Sequence, residues 1–276
     1  MKKLTIKDVL ILGGCVAMAM YAAYDEQQIK AQNAIYFPKP LSDSEIQKYS
    51  DSNNAVVVYP IFTQSAYKKG GFYDYYNGTC HSCTTIPLND RINATYTEGA
   101  HGLQILDQLH YPIITDIDVD KNPSILGRYD AVILLHNEYM TKAEFDAVLH
   151  HKNVLYLYPN AMYAEIKVDY DKNVITLVRG HGYPDSSIAN GFGYITSSKH
   201  EYDTNCKNYK WVSRPNGMQL TCFPEFLILE DRPLLQAIHD YPDKIPSLIN
   251  ESAPNAVSPS ILPNCNAWGY CQKDNT

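Results

Sequence analysis

Unbroken apolar runs punctuate the middle of this chain. Ala55-Val56-Val57-Val58-Tyr59, Ala131-Val132-Ile133-Leu134-Leu135 and Val154-Leu155-Tyr156-Leu157-Tyr158 lack the alternation of a half-exposed strand. Such runs are expected where a strand is covered on both faces, as in a parallel sheet. Pro112-Ile113-Ile114-Thr115-Asp116-Ile117 predicts a further strand. Between the runs the spacing becomes helical. Thr97 is a candidate cap for a helix presenting Leu103, Ile105, Leu106 and Leu109 on one side. Pro123 opens a short helical turn, and Thr141-Lys142-Ala143-Glu144 has the capping-box pattern of a helix reaching about His150. This alternation predicts an α/β fold with strands at 54–61, 112–117, 129–135 and 154–158 in one mainly parallel, doubly wound sheet.

The pattern changes towards the ends. Residues 164–168 and 174–178 flank the turn-rich Asp169-Tyr170-Asp171-Lys172-Asn173, which predicts an antiparallel hairpin. Beyond Gly180 the chain is loop-rich, with an apolar stretch at 223–229, a helical pattern at 232–239 and a Ser-, Pro- and Asn-rich stretch at 251–276. Residues 25–53 are polar and carry Pro38 and Pro40, which leaves room for a short helix at 42–49. Residues 62–96 form a long excursion containing Gly70, Gly71 and Gly78, and such loops are usually functional or pinned. The expected organisation is a targeting segment at 1–24, a linker or stalk at 25–53, an α/β core at 54–205 and a cysteine-containing, loop-rich extension at 206–276.

Composition narrows the class. With 276 residues and 45% hydrophobic content the chain can bury a sizeable core. A net charge of -7 without a basic run argues against a nucleic-acid partner. The 23 tyrosines are expected mainly at the margins of the core, hydroxyls in water.

Lys2, Lys3 and Lys7 precede an uncharged, mostly apolar stretch at 9–24, short of the roughly 20 residues of a spanning helix. Three readings stay open: a secretory signal cleaved near Ala17, Ala19, Ala22 or Ala23, a retained anchor in contact with the membrane, or a lipoprotein box at Leu12-Gly13-Gly14-Cys15. All three place the remainder outside the cytoplasm, secreted or anchored. Leaving out Cys15, the cysteines are Cys80, Cys83, Cys206, Cys222, Cys265 and Cys271, an even count that reads as disulfides in an exported chain. Proximity favours Cys80–Cys83, Cys206–Cys222 and Cys265–Cys271. Glycosylation sequons stand at Asn77, Asn93 and Asn250.

The chemistry-bearing residues follow the strands. Glu138 emerges from an apolar run, where a carboxylate needs a partner, a proton or a cation. His136 lies on the same side of an extended chain as Glu138 and can orient it. Tyr67 follows the first strand and can reach the same sheet edge. The alternative is that His136 and Glu138 hydrogen-bond loop amides. Cys80-His81-Ser82-Cys83 reads as a disulfide rather than a metal site, since no second C-x-x-C follows. Arg179-Gly180-His181-Gly182 reads as a turn, and His150-His151 as the charged end of a helix. There is no Gly-x-Ser-x-Gly or Gly-x-Cys-x-Gly elbow to supply a nucleophile.

Thr63-Gln64-Ser65-Ala66-Tyr67 with Gly70-Gly71 resembles the T-x-x-A-Y-N-x-x-G-G motif of the N,N-dimethylformamidase large-subunit family. His136-Asn137-Glu138-Tyr139 resembles that family's H-D-E-Y motif. The resemblance spans 55–182 and extends to exported archaeal proteins sharing this core. It implies a flavodoxin-like sheet of the class I glutamine amidotransferase type and an iron held by two tyrosines and a glutamate. It implies Tyr67 and Glu138 as ligands, Tyr96 by spacing as the second tyrosine, and His136 and Asn160 as catalytic neighbours. Lys68 replaces the motif's Asn, and the Cys80–Cys83 loop is inserted. The expected activity is metal-dependent hydrolysis of a small amide-type substrate. The competing expectation is a non-catalytic envelope protein that binds a protein partner through a degenerate site.

Overall fold

The computed structural model describes residues 41–194 and 202–244. Helix α1 (Asp43–Tyr49) opens this part of the chain, its first turn closed by a capping box between Ser42 and Glu45. Then come β1 (Ala55–Tyr59), α2 (Ile61–Tyr67), α3 (Phe72–Tyr76), β2 (Thr85–Pro87), α4 (Ala100–Gln108), β3 (Ile113–Thr115) and α5 (Asp116–Lys121). They are followed by β4 (Ala131–Leu134), β5 (Tyr139–Thr141), α6 (Lys142–His150), β6 (Val154–Tyr156), β7 (Ala164–Asp169) and β8 (Val174–Arg179). A hairpin of β9 (Trp211–Arg214) and β10 (Gly217–Leu220) and the helix α7 (Arg232–Asp240) complete the order.

The four expected strands lie in one sheet. Its order is β3-β1-β4-β6-β10-β9, parallel throughout except for the β10–β9 pair. Val57 sits between Ile113 and Ile133, and Leu134 beside Tyr156. Both faces are covered, which is why the runs do not alternate. Val57, Tyr59, Ile133 and Leu155 join one apolar layer with Ile105 and Leu106 of α4 and Leu234, Leu235 and Ile238 of α7. Val56, Val58, Val132, Leu134 and Tyr156 join the other with Val119 of α5 and Phe145 and Val148 of α6.

Three features depart from the expectations. The segment after residue 206 is not merely a loop-rich extension. Its strand β10 pairs in parallel with β6, and the antiparallel β9 forms the sheet's edge. Short strands interrupted by turns hid this pairing, since only a partner strand makes them a sheet. The expected hairpin of β7 and β8 exists, but β2 and β5 extend it into a second, four-stranded sheet of order β2-β8-β7-β5. The capping box at Thr141 is half made. Thr141 Oγ1 accepts from the Glu144 N–H at 3.1 Å, while the Glu144 carboxylate turns into the interior and finds no hydrogen-bond partner.

Disulfides join Cys80 to Cys83 and Cys206 to Cys222, the second closing the β9–β10 hairpin. Asn77 and Asn93 are exposed. Cys265, Cys271, Asn250 and the segment 1–24 lie outside the described residues. Among the described residues no helix is long and apolar enough to cross a membrane.

Gly217 is the point of closest approach between β10 and β6. A Cβ there would stand 1.8 Å from the Val154 carbonyl oxygen. Gly217→Ala is therefore expected to destabilise the fold by about 3 kcal/mol through overpacking. Urea unfolding that leaves the midpoint unchanged would show that β10 does not sit in the sheet.

Candidate functional site

The segment after β1 folds so that each residue of Thr63-Gln64-Ser65-Ala66-Tyr67 has a separate task. Asp116 accepts the Phe62 N–H at 2.8 Å and so caps the start of α2 from the neighbouring strand connection. Thr63 Oγ1 accepts the backbone N–H groups of Glu138 and Tyr139 at 3.0 and 3.2 Å. Gln64 bonds the Tyr59 hydroxyl, the Asn93 N–H and the carbonyls of Asn89 and Arg91. Ser65 Oγ takes the Asn89 N–H at 3.0 Å. Gly71 lies so close to the end of α2 that a Cβ would be 2.1 Å from the Ala66 carbonyl oxygen. The chain can thus double back at once into α3, which carries Tyr73 and Tyr76.

Glu138 is fully buried beyond β4 and is the hub of the site. Tyr67 donates to its Oε2 at 2.7 Å. The Tyr73 hydroxyl lies 3.1 and 3.3 Å from its two oxygens and 2.7 Å from the Tyr67 hydroxyl. His181 Nε2 meets Oε1 at 2.5 Å, and Asn160 Nδ2 stands 3.4 Å from the same oxygen. His136 Nε2 is 3.8 Å from Oε2. Its Nδ1 is 2.6 Å from the Thr97 carbonyl, an acceptor only, so Nδ1 carries the proton and Nε2 is turned towards the carboxylate.

Tyr67, His136, Glu138 and Asn160 therefore meet in one place. A second phenol beside Glu138 is that of Tyr73, which the sequence did not single out. Tyr96 is 41% exposed and packs on Phe223 and Phe226 at 5.4 and 5.7 Å, and Phe223 in turn meets His136 edge-on. Spacing placed Tyr96, but α3 supplies a phenol much nearer in sequence. His181 was read as part of a turn, and it is one, yet the turn delivers its ring to the carboxylate. It has φ +51, flanked by Gly180 at +127 and Gly182 at +77. A side chain held in the left-handed region between two glycines was the available signal of a positioned residue. Tyr73, Tyr76, Tyr139 and Tyr163 surround the imidazole with ring centroids 4.5 to 6.0 Å away.

The electrostatics split the acids into two kinds. Burial alone would raise the Glu138 carboxyl, but the charge and hydrogen bond of His181, with His136 and Tyr67, outweigh it and hold the group below its ordinary value. Burial drives the phenols of Tyr67 and Tyr73 well above theirs, reinforced by the Glu138 charge. The site is thus one carboxylate ringed by neutral phenols and by the imidazoles of His136 and His181. Two phenolic oxygens and a carboxylate form a triangular face of hard donors with edges of 2.7 to 3.3 Å. Those donors fit a hard cation such as ferric iron, which the phenolic protons would vacate for. Among the described residues no group of three or more His, Cys, Asp or Glu could hold a metal, so any ion here would depend on the tyrosines. No protein-family model matches this chain, and no curated protein matches it.

The phenols make the fold sensitive to alkali. The folded pKa values of Tyr67, Tyr73 and Tyr139 are raised, so their contribution is whole below the unfolded value of about 10 and is lost as pH rises above it. An ultraviolet titration is expected to show exposed tyrosines ionising reversibly near that value and the buried ones ionising only as the protein unfolds. Simultaneous ionisation of all tyrosines in a folded protein would contradict this picture.

Proposed function

We propose that this chain is an exported hydrolase of small amide-type bonds, built on a flavodoxin-like core, with iron held by Tyr67, Tyr73 and Glu138. The meeting of two phenols and a buried carboxylate on one triangular face carries the reading. Counting only the strands that run parallel, the main sheet has the order 2-1-3-4-5 of flavodoxin-like folds. Tyr67 follows the first of these strands and Glu138 the third, the pair that flanks the point where the strand order reverses. Ligands of such sheets bind there. Export is supported by the two disulfides and by the basic and apolar amino-terminal sequence.

When bound, the ion would act as a Lewis acid that polarises an amide carbonyl. The chain's own groups do the rest. His136, its Nδ1 proton fixed on Thr97, presents Nε2 as a base for an attacking water. His181 carries the proton that a leaving amine requires and holds Oε1 of Glu138 in place. Asn160 Nδ2 points into the same space and offers a hydrogen bond to a carbonyl oxygen. Tyr76, Tyr139 and Tyr163 enclose the imidazole and exclude water, which favours small neutral substrates.

One observation favours a non-catalytic reading instead. The carboxylate is saturated by hydrogen bonds from within the chain, and a saturated centre can be a purely structural plug in a protein that binds an envelope partner. Iron loading separates the two. The purified protein is expected to take up about one equivalent and to develop the visible absorption of tyrosinate-to-iron charge transfer. Glu138→Gln is expected to lower iron occupancy at least tenfold (about 1.4 kcal/mol) while the circular dichroism spectrum persists. A chain that binds no iron under reducing or oxidising loading has the structural plug.

A further inference from the structure

Leaving a buried carboxylate oxygen without a partner is costly, and two carboxylates with such oxygens lie in the layer of α5 and α6. Asp116 opens α5. One of its oxygens caps α2 through the Phe62 N–H, while Oδ1 has no hydrogen-bond partner. Glu144 stands in the first turn of α6, with neither oxygen partnered. Both residues are 0% exposed. Helices α5 and α6 pack against each other, and the charge of Asp116 bears on Glu144. No ion pair reaches either group among the described residues.

The surroundings sharpen the problem. Asp120, on α5, adds a third negative charge close to both. Its Oδ2 accepts from the Tyr170 hydroxyl at 2.6 Å, and burial and these acids keep that phenol neutral. Lys121 lies over the Tyr170 ring, 4.4 Å from its centroid. Two like charges cannot both persist in such a place. Among the described residues no group of three or more His, Cys, Asp or Glu could hold a metal ion, these acids included.

We propose that Asp116 and Glu144 share a proton at neutral pH, one carboxyl donating its O–H to the other, and that this contact latches α6 onto α5. The proton comes from solvent and returns to it. The latch ties α2, which Asp116 caps and which carries Tyr67, to α6, which follows Glu138 through β5. It is independent of whether the Glu138 centre binds iron.

Burial raises both carboxyls, so their contribution is whole below the unfolded values of about 4 and is lost as pH rises through the pair's own ionisation. Thermal unfolding between about pH 5 and 9 tests this. In the wild type each proton held adds up to about a tenfold rise in the unfolding equilibrium constant per pH unit. Glu144→Gln replaces the shared proton by an amide N–H and is expected to remove about one proton from that slope. Asp116→Asn keeps an acceptor for Phe62, so it is expected to do the same, and the double variant no more. At about pH 9, above the ionisation of Glu225, the infrared C=O band of a buried carboxylic acid should be present in the wild type and absent from Glu144→Gln. Should neither variant fold, that band in the wild type at about pH 9 decides the matter, because Glu225, pushed by burial to about 7, is ionised there. An unchanged slope, a missing band, or stabilisation of the wild type by calcium or magnesium that Glu144→Gln lacks would overturn the shared proton.

Discussion

The arrangement depends on the cost of placing one carboxylate, Glu138, where no water reaches it. That cost is several kcal/mol unless hydrogen bonds and charge offset it. The chain recruits partners from its own segment, His136, and from four others: Tyr67 after β1, Tyr73 from α3, Asn160 after β6 and His181 after β8. No single element could provide them. The parallel sheet brings the ends of β1, β4 and β6 to one edge, and the second sheet carries the His181 turn back to that edge.

The positions that hold the partners explain much of the local sequence. Thr63 fastens the backbone at Glu138 and Tyr139, and Gln64 ties the segment 89–93 to Tyr59 at the end of β1. Gly71 permits the reversal that places Tyr73, and Gly180 and Gly182 permit the one that places His181. Similar logic operates around Tyr158. Its hydroxyl donates to Glu225 at 2.6 Å, and side chains at Gly99 or Gly102 would collide with its ring. Glu225 also accepts the His101 N–H at the start of α4, so a residue late in the chain secures the helix before β3.

The parallel core was legible because its strands are buried on both faces, and runs such as Ala131-Val132-Ile133-Leu134-Leu135 carry that signal without any partner in view. The hairpin of β7 and β8 was legible from its turn. The join of β10 to β6 was not, since a four-residue strand beginning with Gly217 has no distinctive pattern and gains its identity from pairing. Among the site residues, Glu138 and His136 stood out because charge follows an apolar run. Tyr73 and His181 did not, because Tyr is common in this chain and His181 lies in a turn. What marks them is the path of the backbone, and spacing alone favoured Tyr96. Glu144 fitted a capping box by pattern, yet burial of its side chain won over the local bond.

The late arrival of β10 bears on how the chain is made. Strand β6 has β4 on one side, and its other edge stays open until the ribosome has released the segment that holds Gly217. An apolar edge left open is an invitation to pair with another chain. A nascent or proteolysed fragment ending near residue 205 would therefore carry the whole Glu138 centre and still be prone to aggregate, so the sheet is safe only once the β9–β10 hairpin has joined it.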